Sequence, residues 1–472
     1  MSFLLDTFHD RRSGVMFSVN PIGGRSDTQL AGERQFNQDW NPVWDVKTAR
    51  FDRGWSVEAA IPFKSLRYRP GTSQVWGFNA MRIKRSKNEI SLLTRVPLGR
   101  QQAAMTQVNF AATLVGLEVP QGGRNLDLKP YAISSLTTNR LARPAVFNDP
   151  HAEGGLDLKY SVTQGLTADV TINTDFAQVE ADEQQVNLTR FNLFFPEKRE
   201  FFLENQGTFA FGGVQTTGNF NNSNNNQTAP ILFYSRRIGL NQSREVPLDL
   251  GGRLTGRAGR YTIGIMDAQT GAEDARLPNA APATNFSVVR LKRDILRRSS
   301  IGVIATGRSV AQNGVGRNFA YGADATFLFY ENLAINTYWA KTESEGLRGK
   351  DTSYRAELNY NADRYGLQIE HLYVGDHFNP EVGFLRRDDM RRSSVQVRFS
   401  PRPRRLPAVR RFRYQGGITY LENGAGVLES REREAEFAIE LQNSDQFQVQ
   451  YASLYEFLPR PLSIVGLTIP AG

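Results

Sequence analysis

Over most of its length the chain alternates between apolar and polar positions. Leu156, Leu158, Tyr160 and Val162 interleave with Asp157, Lys159 and Ser161, and Leu166, Ala168, Val170 and Ile172 with Thr167, Asp169 and Thr171. The same rhythm returns in Tyr354–Tyr360, Tyr365–Glu370, Ala435–Leu441 and Phe447–Tyr455. A period of two places the two sets on opposite faces of a strand. Several runs meet at short turns (Arg257–Arg260, Glu331–Asn332, Asn361–Arg364, Asn443–Gln446), whereas Asn219–Thr228 and Ala272–Thr284 are long and polar. About 14 strands are predicted between Leu126 and Phe457, many near the roughly 9–11 residues that cross a bilayer. Short turns at one end and long loops at the other suit a membrane barrel. The competing reading is a large soluble sandwich or propeller with one wet face; the strand lengths and the many charges on the polar face argue for the barrel.

The first residues, to about 118, have a different texture. Trp55, Val57, Ala59 and Ile61 share one face of a short strand that stops at Pro62, and short strands separated by turns predict a β-sandwich. Trp40, Trp44, Trp55 and Trp76 fall here, and a Gly-Gly segment, Gln121–Arg124, follows. The expected class is therefore all-β: an incomplete N-terminal β-sandwich over 1–118, then a large antiparallel transmembrane β-barrel over 125–472.

Composition narrows the chemistry. The 472 residues contain no cysteine and 4 histidines, which removes disulfides, thiolate metal sites and a histidine-rich metal centre. No apolar run reaches the roughly 18 residues of a helical span. The net charge of +9 would fit a nucleic-acid binder, but the basic residues are scattered. Arg402–Arg413, the one dense run, is broken by Pro403 and Pro407 and holds only Phe412 as a stacking aromatic. No nucleic-acid partner is expected. The start, MSFLLDTFHDRRSG, is not a secretory signal peptide.

Two groups of words resemble known families. Asp6–Asp10 (DTFHD), Met16–Asp27, Trp55–Tyr68 and Trp76–Arg85 resemble family 9 carbohydrate-binding modules, which are β-sandwiches. Ile172–Gly212, supported by Phe378–Arg391, resembles an uncharacterised bacterial outer-membrane family with a barrel behind such a module. The resemblance implies an outer-membrane protein of a diderm bacterium, its module on the periplasmic or surface side. Its implied partners are a glycan or polysaccharide and outer-membrane lipid, with glycan binding linked to uptake or breakdown. Set against both families, the chain is expected to be a piece of a longer protein.

Candidate sites follow from residue chemistry. Sugar rings need a flat aromatic face and polar partners; Trp40, in a polar run, is the stacking candidate, with Glu58 and Arg82 for hydroxyls, unless those two simply pair with each other. Asp175, Glu180 and Asp182 carry oxygen ligands at a spacing that calcium accepts, or they meet lumenal arginines such as Arg190, Arg199, Arg236 and Arg237. No other cofactor is expected. Phe191, Phe194, Phe195, Phe201 and Phe202 surround Pro196 too irregularly for a lipid-facing strand. They predict a plug or constriction, or else an ordinary loop anchor. Rival functions are a carbohydrate-active enzyme, whose paired carboxylates the abundant acids neither support nor exclude, and a structural envelope protein.

Overall fold

A computed structural model describes residues 1–31, 36–38, 40–69, 71–87, 89–97, 104–119, 126–140, 146–173, 194–195, 197–214, 228–241, 244–458, 461–464 and 467–472. The fold is all-β, as the alternation demands. Ser2–Asp6, Ser13–Val19, Arg25–Ala31, Ser73–Lys84 and three further strands form a 7-stranded sheet, and the hairpin Asp45–Phe51/Gly54–Ala60 stands apart from it. Val46, Trp55 and Val57 of the hairpin pack on Phe17, Trp44, Tyr68 and Trp76, so the two layers share one core, as a sandwich does.

The second sheet is a 15-stranded antiparallel meander running from Leu126–Asn139 to Gln446–Glu456. The sequence reading thus fell about one strand short. Every strand pairs with its neighbour in the chain; a long insertion separates Leu166–Ile172 from Leu248–Ala258 without breaking the order. The barrel is not closed. Among the described residues, Leu126–Asn139 pairs only with Val146–Ser161, and Gln446–Glu456 only with Leu428–Leu441.

The two faces of this sheet are inverted relative to a water-soluble protein. Apolar side chains such as Val289, Ile301, Val303, Ile369, Val395 and Val397 are exposed, while Arg253, Arg290, Arg355, Glu357, Glu370 and Arg392 are buried. Within Thr352–Asn361, Tyr354 and Tyr360 are exposed and Ser353, Arg355 and Glu357 are buried, following the predicted alternation. The buried charges are paired: Arg355 binds Glu370 at 2.7 Å and Glu357 at 3.0 Å, and Arg392 binds Glu370 at 3.0 Å. A charge that leaves water needs such partners.

Aromatic side chains form rows near both ends. Tyr365, Phe399, Tyr414 and Phe437 are in register across four strands, with ring centroids 5.4, 6.2 and 5.1 Å apart. Toward the other end, Trp339 pairs with Tyr354, whose ring stacks on Tyr373 at 5.0 Å. Tyr365 and Tyr373 lie on one strand, about 26 Å apart at roughly 3.3 Å per residue. At the roughly 35–45° tilt of outer-membrane strands this leaves about 20 Å along the barrel axis, somewhat less than their roughly 25 Å apolar belt.

Candidate functional site

The described part of the insertion packs against the inner face of the sheet. Phe201, Phe202, Phe209, Phe211, Phe233 and Tyr234 are buried in one cluster with wall residues Met266, Phe286, Val288, Ile304, Tyr338 and Leu372. The loop after Tyr365–Val374 joins them: Ile231 and Phe384 exchange backbone hydrogen bonds, and Phe194 packs on Tyr234 and Phe384. Phe195 gives its carbonyl to the Tyr234 hydroxyl at 2.5 Å and lies under the Arg236 guanidinium. Of the five phenylalanines expected to form a plug or a loop anchor, Phe191 lies outside the described residues, and Phe194, Phe195, Phe201 and Phe202 pack in or against this cluster, which suits either role. Wall glycines make room for it. A Cβ at Gly322 would meet the Phe211 ring at 2.8 Å, and one at Gly264 would meet Phe209 at 2.9 Å. Gly212 bridges plug and wall, donating its N–H to Asp324 (3.0 Å) and accepting from Arg355 (3.2 Å).

The sandwich sits over the short-turn end of the barrel. Arg257, at the tip of Leu248–Ala258, pairs with Asp10 and with Asp294, and Asp294 also pairs with Arg12. Asp10 further accepts the Ser13 hydroxyl at 2.6 Å and two backbone N–H groups at 2.8 Å. Burial pushes the Asp10 carboxyl up, but Arg257 and these hydrogen bonds outweigh it and hold it below the usual carboxylate range. Its neighbour Asp6 goes the other way: burial, and then the negative charge of Asp10, raise it to about 7. Arg67 reaches from the sandwich to Glu204 at 3.3 Å, and Gln29 to Asn205 at 3.0 Å.

Between sandwich, plug and wall lies a cavity of about 480 Å³, within the range of small-molecule sites. Strand alternation points its wall residues inward: Arg290, Lys292 and Asp294 on one strand, Asp324 and Thr326 on another, then Asn336, Asn359 and Asn361. The backbone closes tightly beside it at Gly256, whose φ is +141° and where a Cβ would lie 2.0 Å from the Gly165 carbonyl oxygen. Among the described residues, six cationic side chains line the cavity (Arg12, Arg67, Arg257, Arg290, Lys292, Arg298) against three carboxylates (Asp10, Asp294, Asp324).

The expected sugar site is not assembled. Trp40 is 9% exposed and packs on Phe17, so core packing has taken the ring that was to stack on sugar. Arg82 lies 3.9 Å from Glu89 rather than pairing with Glu58, which stands exposed on the separate hairpin opposite Lys47. Asp175, Glu180 and Asp182 lie outside the described residues. Among the described residues no cluster of metal-ligating side chains occurs. Of the arginines considered for them, Arg199 pairs with Glu197 at 2.7 Å within the plug. The Arg402–Arg413 run is largely paired, through Asp363, Glu440 and Glu436, as a wet barrel face would have it.

Fold and site together define a plugged, barrel-type β-sheet protein with a sandwich over one end. The chain belongs to the family described as domain of unknown function DUF5916, whose model matches residues 124–454. No curated protein matches it. Among solved structures it is similar to Pseudomonas aeruginosa OccK8 (OprE), with TM-score 0.32, 9% identity and 96% of this chain covering 93% of that one. Pseudomonas aeruginosa OpdL gives 0.30 and 11%, covering 87% and 96%; Acinetobacter baumannii OccAB2 gives 0.30 and 7%, covering 96% and 89%. Likenesses at this level carry no functional detail.

Proposed function

We propose that this chain works as a β-barrel in the outer membrane of a diderm bacterium. In this reading the lumen is occluded by the insertion and the sandwich covers the periplasmic end. The observation that carries the reading is the inversion of the sheet: apolar residues exposed outside, paired charges buried inside, aromatic rows near both ends. Short turns face the periplasm in such barrels, which supports placing the sandwich there. The arrangement suits regulated passage of small polar solutes, with the plug as the barrier.

Purified chain is expected to migrate as a heat-modifiable band in detergent and to fractionate with outer membranes. A soluble monomer would overturn the proposal. Glycan binding is proposed for the sandwich on its resemblance to family 9 modules, with exposed Glu58 and Phe51 on the hairpin as its surface in place of Trp40. A glycan array lost on Phe51→Ala would support this; no binding to any glycan would favour a structural role. Release of reducing sugar, lost on changing one carboxylate, would instead establish an enzyme.

A further inference from the structure

Among the described residues the charges around the 480 Å³ cavity do not balance, and the surplus is specific. Arg12 is matched by Asp294, Arg257 by Asp10 and Asp294, Arg290 by Asp324 at 2.7 Å, and Arg67 by Glu204. Lys292 and Arg298 are left. Among the described residues neither has an ion pair or a side-chain hydrogen bond; Lys292 feels the positive charges of Arg290 and Arg12 more strongly than the negative charges of Asp324 and Asp294. Two further donors, Arg12 Nε and Arg290 Nε, are buried without an acceptor among the described residues. A half-buried lysine beside two arginines is electrostatically costly unless an anion joins them. Of the remaining lining, Asn332, Asn359 and the amide nitrogen of Asn361 can exchange hydrogen bonds with hydroxyls, while Thr326 and Asn336 bond each other and the Asn361 oxygen accepts from Arg398.

We infer that the cavity between sandwich and barrel is a binding site for a small hydroxylated anion, its carboxylate or phosphate held by Lys292 and Arg298 and its hydroxyls by the asparagine-rich wall. An arginine favours paired oxygens and a lysine adds a point charge, so either acidic group satisfies the pair. The inference deepens the barrel reading by naming a solute class. It rests on the docked sandwich and not on passage through the lumen.

The test is calorimetric titration of the full chain in detergent with glucuronate, glucose 6-phosphate and glucose. At least one anion is expected to bind ten-fold or more tightly than glucose, and to weaken as salt is raised. The stronger of the two anions distinguishes carboxylate from phosphate recognition. Lys292→Gln with Arg298→Gln is expected to weaken anion binding at least ten-fold, while Arg276→Gln, in a loop at the opposite end, leaves it unchanged. Neither substitution removes an ion pair seen among the described residues, so the fold should persist; a heat-modifiable band checks that. Should the double variant not fold, each single variant is expected to weaken binding at least three-fold. Anions bound no better than glucose, or binding unchanged in every folded variant, would overturn the site. Membrane fractionation would stand or fall separately.

Discussion

Neighbouring residues on one strand give opposite answers according to the solvent outside the barrel. Ile369 is 42% exposed on Tyr365–Val374 and lies midway between the aromatic rings at Tyr365 and Tyr373. If water bathes that face, Ile369→Arg is an ordinary surface change within about 0.5 kcal/mol. If hydrocarbon does, arginine near the bilayer midplane costs about 2–4 kcal/mol. That corresponds to roughly 30- to 700-fold in the folding equilibrium. Glu370, the next residue, is 1% exposed and binds Arg355 and Arg392. Its removal leaves two buried guanidinium groups short of a partner and costs about 3–5 kcal/mol whatever lies outside. Urea titration of the chain folded into phospholipid vesicles, read by heat-modifiable mobility, measures both. A loss below 0.5 kcal/mol for Ile369→Arg beside a large loss for Glu370→Ala would refute the lipid-facing assignment while leaving the fold intact.

Further expectations follow from the site. Arg257→Ala removes the shared partner of Asp10 and Asp294 and should weaken docking of the sandwich by about 3–5 kcal/mol; as the chain has no cysteine, spin labels at introduced cysteines on sandwich and barrel would show a broadened distance distribution. Phe211→Ala, which takes away the ring packed 5.3 Å from Tyr338, should lower stability by about 3–5 kcal/mol and raise single-channel conductance in planar bilayers. Asp6 has its folded pKa raised from 3.8 to about 7, so the folded state holds its proton more tightly. The sandwich should therefore lose stability as pH rises from about 4 to 7, and Asp6→Asn should flatten that part of the thermal-stability profile.

Much of the sheet was legible because side-chain period and burial coincide. The run Tyr354–Tyr360 announced its two faces residue by residue, and the turns near Arg257–Arg260 and Asn361–Arg364 fell within a residue or two of those observed. The irregular phenylalanines announced a segment that is not a strand, and Phe201 and Phe202 are buried against the sheet. Trp40 was misread because a polar neighbourhood along the chain does not report what packs across it; Phe17 comes from the strand Ser13–Val19, while Trp40 lies outside any strand. The cavity was missed although part of its signal is present: Arg290, Lys292 and Asp294 occupy alternate positions, with Val289, Leu291 and Ile295 among the residues between and beside them and Arg293 breaking the apolar set. That pattern marks an inward face, but only the tertiary structure shows that the acids are consumed by Arg12 and Arg257, leaving Lys292 unmatched. The part of Asp10 was equally hidden, since its partner is 247 residues away.

Gly212 gives the occlusion a property that a simple stopper would lack. Because one residue serves both Asp324 and Arg355, the plug cannot withdraw without stripping two wall charges of a partner in the same event. The seating of this segment and the charge on the inner face of the sheet are thus tied to one residue. Asp324 would keep Arg290, and Arg355 would keep Glu370 and Glu357, so each would lose one partner and retain its ion pairs.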